Sequence, residues 1–101
     1  MKKTKNMVYN ATQEARELFC FATNTRELHA QICAIVHSLA RKYSKGIYDA
    51  EKAAAAFYPA ATAASNLYKK WFGYNFSVQD RYTAAVDMVE YFTENIIDDD
   101  I

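Results

Sequence analysis

Residues 53–68 read AAAAFYPAATAASNLY, the longest stretch of this 101-residue chain without a charged side chain. Its apolar positions repeat at intervals of three and four, which predicts a helix over 50–72 whose core face includes Phe57, Tyr68 and Phe72. Even the back of this helix is nearly neutral. It is therefore either a central helix that its neighbours approach closely over small alanine side chains, or a groove for a partner.

Pro59 lies in the middle of this stretch. Proline lacks the amide that would bond to the carbonyl of Ala55, and its ring crowds that carbonyl. The sequence therefore predicts a third helix that is kinked or broken near Pro59. The uncharged run is too short and too weakly apolar to span a bilayer, so no membrane partner is expected.

Similar apolar spacing continues on both sides of residues 53–68, and it predicts further helices over 11–22, 25–44 and 78–97. Phe21 falls off the apolar stripe of the first helix and needs a second neighbour or stays exposed. The three stripes are Ala11, Ala15, Leu18, Phe19 and Ala22; then Leu28, Ile32, Ile35, Leu39 and Tyr43; then Val78, Tyr82, Ala85, Val89, Phe92 and Ile96.

Capping residues mark the same boundaries. Side-chain acceptors suited to a helix start are found at Asn10, Asn24, Asp49 and Ser77. Gly46 and Gly73 follow the second and third predicted helices, where glycine takes a left-handed cap at low cost.

The composition fits one all-α domain over residues 1–101, a compact bundle of about four helices with flexible ends near 1–8 and 98–101. With 51% hydrophobic residues and two cysteines, the chain is neither disordered, nor collagen-like, nor a disulfide framework. No signal-peptide pattern opens the sequence, which favours a cytoplasmic location.

Charge is distributed unevenly. Residues 1–48 carry eight basic and three acidic side chains, whereas residues 80–101 carry one basic and seven acidic ones. On the fourth predicted helix the acidic side chains gather opposite the apolar stripe. This face is either a solvated surface or a docking surface for a basic partner. Its candidate binding residues are Asp80, Asp87, Glu90, Tyr91 and Glu94.

A basic patch offers an alternative. Arg41, Lys42 and Lys45 lie near Tyr43 and Tyr48, an arrangement that suits nucleic acid. The sequence pI of about 6.7 argues against it, and the helix dipole alone favours cations at this helix end.

The histidines and cysteines form no convincing site. His29, Cys33 and His37 are four apart on one predicted helix, and Cys20 precedes them. At a rise of about 1.5 Å per residue, His29 and His37 are too far apart along the axis to bind one ion. We therefore predict no metal, no cofactor and no catalytic residues, since glycine-rich phosphate loops are also absent.

Three blocks carry a resemblance: YNATQEAREL at 9–18, LARKYSKGIYDAEKA at 39–53 and FSVQDR at 76–81. Together they resemble the recurring blocks of a family of small, functionally uncharacterised helical proteins encoded by bacteriophages. The resemblance implies a phage accessory protein that acts inside an infected bacterial cell, and it supplies no catalytic residues.

The function expected from the sequence is therefore non-enzymatic. We expect the protein to bind a host or phage macromolecule through the acidic face and to inhibit a bacterial host or defence protein. The alternatives are a nucleic-acid-associated module that uses the basic patch and a structural homo-oligomer that uses the neutral back of the third helix.

Overall fold

The computed structural model describes residues 12–44, 46 and 48–93, and this part of the chain holds four α-helices and no strand. They are α1 (Gln13–Asn24), α2 (Arg26–Tyr43), α3 (Ala50–Phe72) and α4 (Val78–Thr93). The all-α prediction is confirmed. The predicted flexible ends, 1–8 and 98–101, lie outside the described residues.

Helix ends follow local capping chemistry. Asp49 accepts hydrogen bonds from the amides of Glu51 and Lys52, and Ser77 Oγ accepts one from the Asp80 amide, as predicted. Gly73 caps α3 in the left-handed region at φ 77°, and its amide donates to the Lys69 carbonyl.

Two predicted caps are wrong. Asn24 does not begin α2: it ends α1, where its side-chain amide donates to the Cys20 carbonyl. Gly46 does not take a left-handed conformation after α2. At the start of α1 the cap is Thr12, whose side chain accepts from the Ala15 amide, while Asn10 lies outside the described residues.

α3 runs unbroken through Pro59. The proline is exposed, so its ring lies on the solvent side of the helix. Of the two predicted outcomes, a break is therefore excluded. α3 packs against all three other helices, as expected for a helix with alanine at positions 53, 54, 60, 61 and 64, all of them buried.

The core lies where these helices meet. Its largest fully buried side chains include Phe57, Leu18 and Met88. Phe57 stacks on Phe92 at 5.8 Å between ring centroids. The predicted stripes of α1 and α2 are confirmed at Ala15, Leu18, Ala22, Leu28, Ile32 and Leu39, all buried.

The stripe predicted for α4 is wrong at its beginning. Val78 is 62% exposed and Tyr82 is 44% exposed. Burial begins instead at Ala84 and continues through every residue to Val89, because the middle of α4 packs against both α1 and α3. A helix covered on more than one face does not show a single stripe.

Candidate functional site

Large aromatic side chains are exposed where α3 ends. Trp71 is 48% exposed, Phe72 63% and Tyr74 44%. They are continuous with Phe21 on α1, with Tyr68 on α3 and with the buried Phe76. These six residues are called the aromatic surface below.

The rings of the aromatic surface contact one another. Phe21 packs edge-to-face with Tyr68 at 5.0 Å and with Trp71 at 5.6 Å between centroids. Tyr68 lies 4.7 Å from Phe72. Phe21 falls off the apolar stripe predicted for the first helix, and in the structure its ring packs against residues of α3. Edge-to-face pairs of this kind hold each ring in a defined orientation.

The turn after α3 brings the last two rings back. Gly73 reverses the chain through its left-handed cap, so that Tyr74 and Phe76 return toward Tyr68. Phe76 is only 3% exposed, and its carbonyl accepts a hydrogen bond from Arg81 Nη1 at 3.0 Å. The segment between α3 and α4 is therefore anchored to the body of the protein.

Two clefts run between the aromatic surface and α1. The larger has a volume of about 510 Å³ and is lined by Gln13, Arg16, Glu17, Cys20, Phe21, Tyr68 and Phe72. The smaller has a volume of about 220 Å³ and is lined by Gln13, Glu14, Glu17, Tyr68, Tyr74 and Phe76.

Tyr68 and Glu17 form part of both clefts. The Tyr68 hydroxyl donates a hydrogen bond to Glu17 Oε2 at 3.2 Å. Burial, followed by this hydrogen bond, raises the pKa of Tyr68. The phenol therefore stays protonated and keeps donating to the carboxylate at neutral pH.

The predicted acidic docking face is not one exposed surface. Asp87 is only 6% exposed, in the buried middle of α4. Asp80 is half-buried and accepts a hydrogen bond from Thr12 Oγ1 at 3.0 Å. Tyr91 is 64% exposed, while Glu94 lies outside the described residues. The expectation of a solvent-facing Asp87 is wrong, because that side of α4 is covered.

The carboxyl groups of Asp87 and Glu90 are instead partly shielded from solvent. Asp87 Oδ1 and Glu90 Oε2 are buried, and no hydrogen-bond partner is found for either among the described residues. Burial raises the pKa of Asp87 to about 6, against a smaller opposing effect of Arg16. Burial and the neighbouring Asp87 both raise the pKa of Glu90.

The basic patch is only partly described. Arg41 and Lys42 are exposed at the end of α2, and Lys42 Nζ lies 5.6 Å from the centroid of the Tyr43 ring. Lys45 lies outside the described residues. The cleft beside Tyr48 is lined by two lysines, Lys42 and Lys52, and by two acidic residues, Asp49 and Glu51. Its charges therefore balance.

His29 and Cys33 meet, but no metal site follows from the contact. Cys33 Sγ lies 3.5 Å from His29 Nε2, and both line a cavity of about 290 Å³ with His37 and Tyr91. Cys20 lines a different cavity. Within the described ranges, no three His, Cys, Asp or Glu side chains are placed to hold one ion.

Sequence reasoning missed the aromatic surface. It assigned Tyr68 and Phe72 to the core face of the third helix and gave Trp71 and Tyr74 no role. The signal available in the sequence was the run WFGYNF at 71–76. It places four aromatic residues around a glycine that ends a helix, and a single turn of chain cannot bury all four side chains.

None of the described helices is long and apolar enough to cross a membrane. Comparison with known protein families, with curated proteins and with solved structures finds no match to this chain.

Proposed function

We propose that this chain is a non-enzymatic accessory protein that binds another protein through the aromatic surface. The observation that carries the proposal is the exposure of Trp71, Phe72 and Tyr74 in one contiguous patch. The largest apolar patch on a typical monomeric protein covers about 300–600 Å² and often has a function. Tyr, Trp and Phe are also the residues enriched in the buried centres of protein interfaces.

The energy available at this surface is sufficient for binding. A large aromatic side chain buries about 150–250 Å² in total, so the exposed parts of the three rings amount to roughly 300 Å². At about 25 cal/mol per Å², covering them contributes on the order of 7 kcal/mol before the costs of association. Rings already held by their neighbours lose little side-chain freedom on binding.

A protein partner fits this surface better than a nucleic acid does. Lys69 and Lys70 are exposed just before Trp71, and Arg16 lines the larger cleft. Glu17 lines both clefts, however, and Glu14 lines the smaller one. Carboxylates in the groove oppose a phosphate backbone. The resemblance to phage-encoded blocks supports a bacterial host protein, such as a defence factor, as the partner.

The test compares two double variants as bait. Trp71→Ala with Phe72→Ala removes the centre of the aromatic surface. The control, Val78→Ala with Tyr82→Ala, removes apolar side chains that are equally exposed but lie at the start of α4. After capture from infected cells, the recovered partner is purified and titrated by calorimetry. We expect wild type and the control to bind it and the Trp71/Phe72 variant to lose at least tenfold in affinity.

Equal affinity of both double variants would contradict the proposal. Capture that is lost after nuclease treatment would assign the surface to nucleic acid instead. A concentration-dependent dimer in sedimentation, abolished only by the Trp71/Phe72 variant, would make the partner a second copy of the chain.

A further inference from the structure

The smaller cleft combines aromatic rings with carboxylates. Tyr68, Tyr74 and Phe76 form one side, and Glu14 and Glu17 belong to α1 on the other. Its volume of about 220 Å³ is below the range of pockets for drug-sized ligands, about 300–1,000 Å³. A cleft of this size suits one side chain or a small group.

The three rings meet at steep angles. Tyr68 and Tyr74 are inclined at 81°, Tyr74 and Phe76 at 74°, and Tyr68 and Phe76 at 64°. The centroid distances are 6.4, 4.8 and 4.9 Å respectively. The three ring planes are therefore far from parallel. Phe76 is only 3% exposed, so a group in the cleft meets mainly the rings of Tyr68 and Tyr74, from more than one direction.

The two carboxylates of the smaller cleft favour a positively charged group. Glu14 and Glu17 are one turn apart on α1, and no lysine or arginine is found among the described residues that line this cleft. The Tyr68 hydroxyl donates to Glu17 Oε2 and so holds that carboxylate beside the rings. A phenol that donates to an anion also has a more electron-rich ring, which strengthens its attraction for a cation.

We propose that the smaller cleft binds an arginine or lysine side chain of the protein partner. Aromatic faces attract guanidinium and ammonium groups, most strongly when water is partly excluded. Carboxylates add charge-assisted hydrogen bonds to the same groups. An anion is repelled here, and a purely apolar group makes no hydrogen bond to either carboxylate.

This inference rests on the proposed function and specifies the partner further. The two clefts share Gln13, Glu17 and Tyr68. A bound segment that places its cation in the smaller cleft therefore continues along the larger one, over Phe21 and Phe72. The expected ligand is a segment with one basic side chain followed by apolar residues.

The test uses a matched pair of small probes and the full chain. N-acetyl-arginine amide carries the guanidinium, and N-acetyl-citrulline amide is its neutral isostere. Aromatic side-chain NMR signals of Tyr68, Tyr74 and Phe76 are followed during titration at constant ionic strength. We expect saturable shifts with the arginine probe at millimolar concentration and at least tenfold weaker binding of the citrulline probe.

Variants locate the probe. Glu17→Gln and Tyr74→Ala should each weaken arginine binding by about threefold or more, while Glu27→Gln, an exposed carboxylate on α2, should not. Glu17→Gln changes only an exposed side chain, so its helicity should match wild type. Equal binding of the two probes, shifts that do not saturate, or unchanged affinity in Glu17→Gln would overturn the inference.

The two proposals fail separately. Arginine-probe binding is measured on the wild-type chain, and partner capture is compared between wild type and Trp71→Ala with Phe72→Ala. If partner capture depends on Trp71 and Phe72 but the probe does not bind, the cation site is wrong and the docking surface stands. If the probe binds but partner capture does not depend on Trp71 and Phe72, the docking proposal is wrong.

Discussion

At the scale of single residues, the carboxyl of Asp87 is the most unusual group. It is 6% exposed, and burial raises its pKa from 3.8 to about 6. Between about pH 4 and pH 6 the folded protein therefore holds a proton that the unfolded chain has released. The free energy of unfolding falls as pH rises through this window, by on the order of 2 kcal/mol. Glu90 acts in the same direction, because its pKa is raised too.

Replacing Asp87 with Asn should remove this pH dependence. The amide cannot ionise, so Asp87→Asn should be about as stable as wild type near pH 4 and more stable by on the order of 2 kcal/mol near pH 7. Urea unfolding at both pH values measures the difference, with Glu27→Gln as an exposed control. A difference between Asp87→Asn and wild type that does not change with pH would show that Asp87 is not ionised in a buried site.

Phe57 and Phe72 lie on the same helix and offer a matched comparison of burial. Phe57 is fully buried and Phe72 is 63% exposed. Phe57→Ala should cost about 3–5 kcal/mol of unfolding free energy, because it leaves a cavity beside Phe92. Phe72→Ala should cost less than about 1 kcal/mol. Leu39→Ala, at a site 4% exposed, should cost about 2–5 kcal/mol. If Phe57→Ala and Phe72→Ala lowered the unfolding free energy by similar amounts in thermal or urea unfolding, the assignment of Phe57 to the core would be contradicted.

At the scale of helices, the end of α3 requires a left-handed backbone conformation at Gly73. Gly73 has φ 77°, where an alanine is strained by about 1 kcal/mol even though no atom lies within 4 Å of the added Cβ. Gly46 also has open space, but its φ is not positive. Gly73→Ala should therefore destabilise the protein by about 1 kcal/mol, and Gly46→Ala should leave it within about 0.5 kcal/mol of wild type. Urea unfolding that ranks the two variants equally would contradict this account of the helix end.

Helix positions were largely predictable, because caps and apolar stripes are local signals. Asp49, Ser77 and Gly73 were assigned from one or two neighbouring residues. Asn24 was assigned wrongly because only one residue, Thr25, separates α1 from α2. Its side chain serves the end of one helix rather than the start of the next. The prediction that Asp87 faces solvent on α4 was wrong for another reason. A helical wheel assumes one buried face, and α4 is packed on two.

At the scale of the whole molecule, the two cysteines and the two histidines are divided between two cavities. Cys20 belongs to one, and Cys33 belongs to the other with His29 and His37. We therefore expect no stoichiometric zinc in the purified protein, and no change in helicity by circular dichroism when EDTA is added. Elemental analysis that finds one zinc per chain would contradict this arrangement.

The aromatic surface depends on tertiary structure, so the run at 71–76 indicates an excess of aromatic side chains without locating the surface. Phe72 follows the same spacing as Phe57, yet Phe57 is fully buried against Phe92 of α4 and Phe72 is 63% exposed. Tyr74 and Phe76 reach Tyr68 only because the chain reverses at Gly73. Spacing along a helix indicates which side chains share a face, but it does not indicate where along that face the neighbouring helices end.

Trp71 is the one tryptophan of the chain, and it stands in the aromatic surface at 48% exposure. Intrinsic fluorescence excited at the indole therefore reports on this surface alone. An indole half in contact with water emits to the red of a buried one and is quenched by iodide. Docking of a partner without tryptophan should shift the emission to the blue and protect it from iodide while helicity stays constant. The affinity of such a partner can thus be followed optically, with no label attached to either protein.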